Sequence, residues 1–255
     1  MFPVFLIGGG WEPNGFDHTY VPFIRRASAR GHCKIAVILA VEDENDRSSM
    51  ELRYRGAFDA CGVPAKDVVV YCGTAAAPIP FEALTAGSPT GIFVGGGPTP
   101  LYQTLLCSDT TWLDYLREER IPYAGFSAGA AIAAQHAIVG GWQVRRDHRE
   151  IAMLDADFGE NLTTLEIRDG LGLVPFSVDV HASQWGTITR LMQAVELGLT
   201  TEGWALDEDT VLCVEEYQLE VRGLGHVYHI QRQAADTLTI RLYRAGTALQ
   251  YGPLK

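Results

Sequence analysis

Five short, almost wholly apolar runs punctuate the first half of the chain, at 4–7, 35–40, 68–71, 92–94 and 123–126, each ending in small or turn-forming residues. Helix-like patterns separate them, at 20–30, 47–61, 100–106 and 111–118. A strand buried on both faces reads as a continuous hydrophobic run, and parallel neighbours need a crossover, usually helical. The alternation therefore predicts a doubly wound α/β fold: a mostly parallel sheet flanked by helices. A further helix is expected at 188–197. Beyond it, 211–217, 219–223, 226–231 and 238–243 alternate or are β-branched and predict antiparallel strands closing the chain. The whole of 1–255 is read as one domain, without internal repeat or linker.

In such sheets ligands bind beyond the carboxyl ends of the strands. Gly8–Gly10, Gly95–Gly97 and Ser127 all stand there. Ser127 is the sharpest candidate. The run 121–126 enters it, an Ala-rich run leaves it, and Gly125 and Gly129 complete a G-x-S-x-G pattern. A serine on a strained turn from strand to helix has an exposed hydroxyl, with helix-opening amides aimed at the space above it. The bland alternative is an ordinary strand–helix turn. Gly95-Gly96-Gly97 lets backbone amides approach a ligand, either as a phosphate cradle or as an oxyanion-hole donor. No Walker lysine follows, which favours the oxyanion hole.

A nucleophilic serine needs a base, and the base needs an orienting group. His181, at the end of the apolar stretch 178–180, is the best placed of seven histidines. His136 is expected on the helix after Ser127, facing away. The acids Asp207, Glu208 and Asp209 lie between two apolar runs, where a hairpin tip is the plain alternative to a third catalytic member. The polar stretch 140–164 carries Arg145, Arg146, Asp147, His148, Arg149 and Glu150, and reads equally as a solvated loop or as a substrate-binding rim.

Composition narrows the classes. A net charge of −11 opposes a nucleic-acid role, which needs a basic face. No stretch approaches the length of a membrane span. The apolar residues 1–7 lack a basic flank and read as a first strand rather than a signal peptide. Five scattered cysteines without a C-x-x-C pair read as reduced core thiols, hence a cytoplasmic setting.

These residues resemble peptidase family S51, the dipeptidase E and cyanophycinase group, whose fold is that of class I glutamine amidotransferases. Gly95-Gly96-Gly97-Pro98-Thr99 is similar to the family's G-G-G-N-T stretch, and Gly125-Phe126-Ser127-Ala128-Gly129-Ala130 to its G-x-S-A-G-A. Gly170-Leu171-Gly172-Leu173 through Asp179-Val180-His181 resembles the G-L-G-L…D-Q-H-F block, with Gln184, Gly186, Arg190 and Leu191 continuing it. Leu206-Asp207-Glu208-Asp209-Thr210 resembles I-D-E-D-T. The resemblance implies Ser127 as nucleophile, His181 as base and then acid, and Glu208 as the orienting carboxylate, with Asp147 or Glu150 as alternatives to it. It implies an oxyanion hole from the backbone of Ala128 and of Gly97 or Gly96, and substrate contacts from Thr99, Gln184, Arg190 and Arg146. It implies no metal or organic cofactor. The expected reaction is cleavage of small peptides, aspartyl or β-aspartyl, with an esterase or amidase, or a silent ligand-binding relative, as rivals. Val180, Ala182, Trp185 and Thr187 depart from the cyanophycinase block, where glutamine, phenylalanine and two arginines stand. Exposed edges of such sheets leave a homodimer open.

Overall fold

In a computed structural model, residues 2–216, 218–234 and 237–252 are described. The strands β1 (Val4–Ile7), β2 (Ile35–Ala40), β3 (Val68–Gly73), β4 (Gly91–Val94) and β5 (Tyr123–Phe126) form the parallel part of the main sheet. Between them run α1 (Phe16–Thr19), α2 (Val21–Ala27), α3 (Glu44–Ala60), α4 (Phe81–Ala86), α5 (Thr99–Cys107) and α6 (Trp112–Glu119). After β5 come α7 (Ala128–Ile132), β6 (His136–Gly140), β7 (Gln143–Arg146), β8 (Arg149–Ala152), β9 (Glu166–Asp169), β10 (Ser177–Val180) and α8 (Ile188–Glu196). The chain ends in β11 (Glu202–Leu206), β12 (Thr210–Glu215), β13 (Gln218–Gly223), β14 (His226–Ala234), β15 (Thr237–Arg244) and β16 (Ala248–Gln250). Tyr217, the last position of the expected strand 211–217, lies outside the described residues.

The main sheet has the order β16-β13-β12-β1-β5-β4-β2-β3, and β12, β13 and β16 extend it antiparallel. This is the expected α/β class. Alternate residues of each parallel strand serve opposite faces, as the two-residue period requires. Leu6, Ile38 and Val94 join Tyr102, Leu106 and Leu116 in one core. Ile7, Val37 and Phe93 join Tyr20, Phe23, Tyr54 and Phe58 in the other. Among the described residues no helix is long and apolar enough to cross a membrane.

The C-terminal strands do not close one sheet. A second sheet, β10-β11-β14-β15, takes two of them, with α8 packed against it. The acids 207–209 are therefore not a hairpin tip. They are the crossing from β11 in one sheet to β12 in the other.

Two further expectations are corrected. His136 is not on the helix after Ser127 but opens β6. That helix stops at Ile132 despite its Ala-rich sequence, because the 170–173 segment takes its carbonyls: Leu171, Leu173 and Gly172 amides donate to Ile132, Ala133 and Ala134. Tertiary hydrogen bonds override propensity here. The cysteines are free thiols but half-buried rather than core. Burial still pushes the Cys107 and Cys213 thiols up to about 12.

Candidate active site

The turn after β5 is built by close packing. Gly125 sits in register with Leu6 on one side and Val94 on the other. A Cβ at Gly125 would stand 2.3 Å from the Gly129 carbonyl oxygen, and one at Gly129 would stand 2.4 Å from that of Val94. Only glycines let the first turn of α7 lie against the strands this closely. Ser127 between them has φ 52° and ψ −111°, a strained conformation for a residue with a side chain. Its amide is tied to the Ile7 carbonyl at 2.9 Å.

His181 follows β10 at φ 58° and is held on all sides. Its amide donates to the Gly8 carbonyl at 3.0 Å. Its ring stacks on Trp185, with centroids 3.6 Å apart and planes 9° apart, and Trp185 stacks in turn on Phe158. Gly9 lies under the ring. The His181 Nε2 atom is 2.8 Å from Ser127 Oγ, and Nδ1 is 2.7 Å from Glu208 Oε1. A carboxylate on Nδ1 holds the proton there and leaves Nε2 to accept from the serine hydroxyl.

The three consecutive acids divide the work. Asp207 is buried and accepts from the Ser183 amide at 3.0 Å and the His226 amide at 2.9 Å. Asp209 accepts from the Glu12 amide at 3.1 Å, and burial raises its carboxyl above the usual range. Glu208 alone faces the imidazole. Asp147 stands at the tip of the β7–β8 ribbon with φ 49°, exposed, and Glu150 is exposed on β8.

The glycine-rich loop after β4 separates its amides. Gly96 N–H donates to the buried Tyr54 Oη at 2.6 Å, so it is committed within the protein and drops out as an oxyanion donor. Gly97 N–H and Ala128 N–H donate to no group among the described residues. Ala128 opens α7, where the first amides have no partner within the helix.

A cleft of about 750 Å³ opens over Ser127 and His181. Its wall includes Trp11, Arg53, Tyr54, Asp157, Phe158 and Glu160, none of which the sequence singled out. Arg53 lies 3.9 Å above the Trp11 ring. Glu160 comes from the turn 159–162, where it and Asn161 have φ of 57° and 59°. Burial raises its carboxyl, against the opposing pull of two hydrogen bonds from Thr99. Within 140–164 the charged cluster 145–150 lies on the largely exposed β7–β8 ribbon and does not line the cleft, whereas Asp157, Phe158, Glu160 and Asn161 do.

The four side chains expected to touch substrate are engaged elsewhere. Thr99 is buried, and its amide and hydroxyl donate to Glu160 at 3.2 and 2.9 Å. Gln184 Oε1 accepts from the Glu208 amide at 3.0 Å, so it supports the catalytic carboxylate candidate rather than the cleft. Arg190 is 5% exposed, and its guanidinium forks onto Asp179 at 2.9 and 2.7 Å. Arg146 pairs with Glu196 at 2.6 Å. A long basic side chain in sequence carries no sign of which acid will claim it.

The chain is 31% identical to the cyanophycinases of Trichormus variabilis and of a Nostoc species over 147 residues, 54% of this chain and 44% of each relative. It is 30% identical to that of Geminocystis herdmanii over 155 residues, covering 57% of this chain and 50% of the relative. It thus spans about half the length of the curated relatives it matches. Among solved structures, a peptidase from an acI-B1 actinobacterium superposes with a TM-score of 0.68 at 17% identity, covering 98% of this chain and 97% of that one. A putative peptidase E from Listeria monocytogenes gives 0.54 at 19% identity, covering 88% and 100%. The family model described as Peptidase family S51 matches residues 77–222, a span that holds Ser127, His181 and Glu208, and the chain belongs to that family.

Proposed function

We propose that this protein is a serine-type peptidase for small peptides, with Ser127, His181 and Glu208 as its catalytic residues. The observation that carries the reading is the unbroken relay Ser127 Oγ–His181 Nε2, His181 Nδ1–Glu208 Oε1, at 2.8 and 2.7 Å beneath an open cleft. Ser127 attacks the scissile carbonyl while His181 takes its proton. The tetrahedral oxyanion sits against the amides of Gly97 and Ala128. His181 then returns the proton to the leaving amine, and water repeats the cycle on the acyl-enzyme. Glu208 keeps the imidazole in the productive tautomer and balances its transient charge.

We assign aspartyl or β-aspartyl dipeptides as the substrate class, on the strength of the likeness to cyanophycinases and peptidase E. Arg146 and Arg190 are already paired, so the substrate carboxylate falls to Arg53, the arginine in the cleft wall. The test is release of free amine from a library of α- and β-linked dipeptides, comparing wild type with Ser127→Ala. Hydrolysis of aspartyl members, lost in the variant, is the expected result. Activity that survives Ser127→Ala would overturn the mechanism, and preference for non-acidic members would overturn the substrate class.

A further inference from the structure

We propose that Tyr54 and Tyr102 are positioning residues that set the oxyanion hole by gripping Gly96 from opposite layers of the fold. The inference rests on the peptidase reading of the cleft and extends it to residues outside the relay.

Tyr54 projects from α3 in one core and Tyr102 from α5 in the other, and both are fully buried. Tyr54 Oη accepts the Gly96 N–H at 2.6 Å. Tyr102 Oη donates to the Gly96 carbonyl at 3.0 Å. These two bonds act on two successive peptide planes. The first draws the amide between Gly95 and Gly96 into the protein. The second draws in the carbonyl of the next peptide, whose N–H belongs to Gly97. In a planar trans peptide the C=O and N–H point in opposite directions. Holding the Gly96 carbonyl in the core therefore turns the Gly97 N–H outward. That N–H has no acceptor among the described residues, and Gly97 lies in the cleft wall.

Glycine is what makes the grip necessary. Three in a row leave the loop many backbone states, and without tethers the Gly97 amide would sample several directions. Both phenols are themselves fixed. Tyr54 meets Trp11, Phe93 and Phe126 edge-on, with centroids 5.0, 5.7 and 5.9 Å away. A Cβ at Gly97 would stand 3.0 Å from Tyr102 Cε2, so the loop lies directly on that ring. Burial raises both phenol pKa values, keeping each hydroxyl protonated. Preorganised donors stabilise a developing oxyanion without reorganising during the reaction, which is where such a grip takes effect.

Tyr102→Phe is the decisive variant, because Tyr102 does not reach the cleft and the change removes one oxygen. A peptide aldehyde, which adds to the serine hydroxyl to give a tetrahedral hemiacetal, is compared with the matching peptide alcohol, which cannot add. The variant should lower kcat at least tenfold with KM within about threefold, since loss of one oxyanion donor costs roughly 10²–10³ in kcat. The aldehyde-to-alcohol affinity ratio should fall by a similar factor. Tyr54→Phe should act in the same sense. A purely structural role would weaken aldehyde and alcohol alike, and an unmoved ratio overturns the inference. If the wild type cleaves no peptide, the peptidase reading fails, but the grip is still judged by a crystal structure of Tyr102→Phe. A Gly96 carbonyl that keeps its direction there overturns it, and a rotated 96–97 peptide supports it.

Discussion

Gly9→Ala probes the site from beneath the imidazole. Gly9 has φ +97°, and a Cβ there would stand 2.2 Å from His181 Cε1, with both ring nitrogens inside 3.0 Å. Ordinary contact begins near 3.4 Å. The ring must therefore retreat by roughly 1 Å or the loop must open, and a displacement of that size at a reacting group costs about 10²-fold in rate. Stability falls as well. A side chain at positive φ costs about 1 kcal/mol and overpacking a further 1–3. For a chain of this size that lowers Tm by roughly 4–16 °C, at 2–4 °C per kcal/mol. Gly31→Ala is the control, because Gly31 has φ +89° and nothing within 4 Å of the added Cβ. It carries the backbone strain without the collision. The assay is kcat/KM on the best dipeptide beside the Tm of each variant, measured well below the lower Tm. Gly9→Ala should lose about a hundredfold in kcat/KM and Gly31→Ala less than twofold. Gly9→Ala within threefold of wild type, or Gly31→Ala losing activity to the same degree, would refute the reasoning.

Three further outcomes follow from the geometry. Glu208→Gln replaces an acceptor on His181 Nδ1 with an amide that can donate to it and favour the wrong tautomer. kcat should fall roughly 10³–10⁴-fold with KM little changed, as steady-state kinetics will read. Arg190→Met leaves Asp179 charged, buried and unpaired, which costs about 3–5 kcal/mol. Urea denaturation should show this loss, and substrate KM should hold where the variant remains folded. Glu202 accepts from His229 and Gln231 at 2.9 and 2.8 Å and from Tyr251. Burial pushes its carboxyl up, but these hydrogen bonds prevail and bring it down to about 2 from 4.5. Its stabilising contribution is complete above pH 4.5 and lost as pH falls towards 2. The Tm gap between wild type and Glu202→Gln should be widest at neutral pH and shrink below pH 4.5, and a gap that is constant with pH would contradict this account.

What could be read from the sequence follows from the range of the interactions involved. The parallel strands were legible because continuous apolar runs have few other uses. The sequence also marked Ser127, His181 and Glu208 for one site, because each ends or follows a strand and the blocks around them resemble the family. The hidden parts depend on partners distant in the chain. Gly96 and Gly97 look alike in sequence, and only Tyr54, 42 residues earlier, takes one amide and leaves the other. Arg146 and Arg190 were credible substrate contacts until Glu196 and Asp179 claimed them. Glu160 lay in a stretch that read equally as a loop or a rim and singled out no residue there, and its approach to Thr99 spans 61 residues. The early end of α7 likewise depends on a segment that arrives forty residues later.

Ser127 follows a strand of the main sheet, His181 follows a strand of the second sheet, and Glu208 lies on the crossing between them. No folding intermediate with only one sheet in place contains the relay. The contacts that complete it join residues 54 and 27 positions apart, and loop closure must precede such pairings. A chain still emerging or half-refolded therefore carries its serine without a base. The relay is thus a product of long-range assembly: it is complete only where the two sheets are docked, and no single local element contains it.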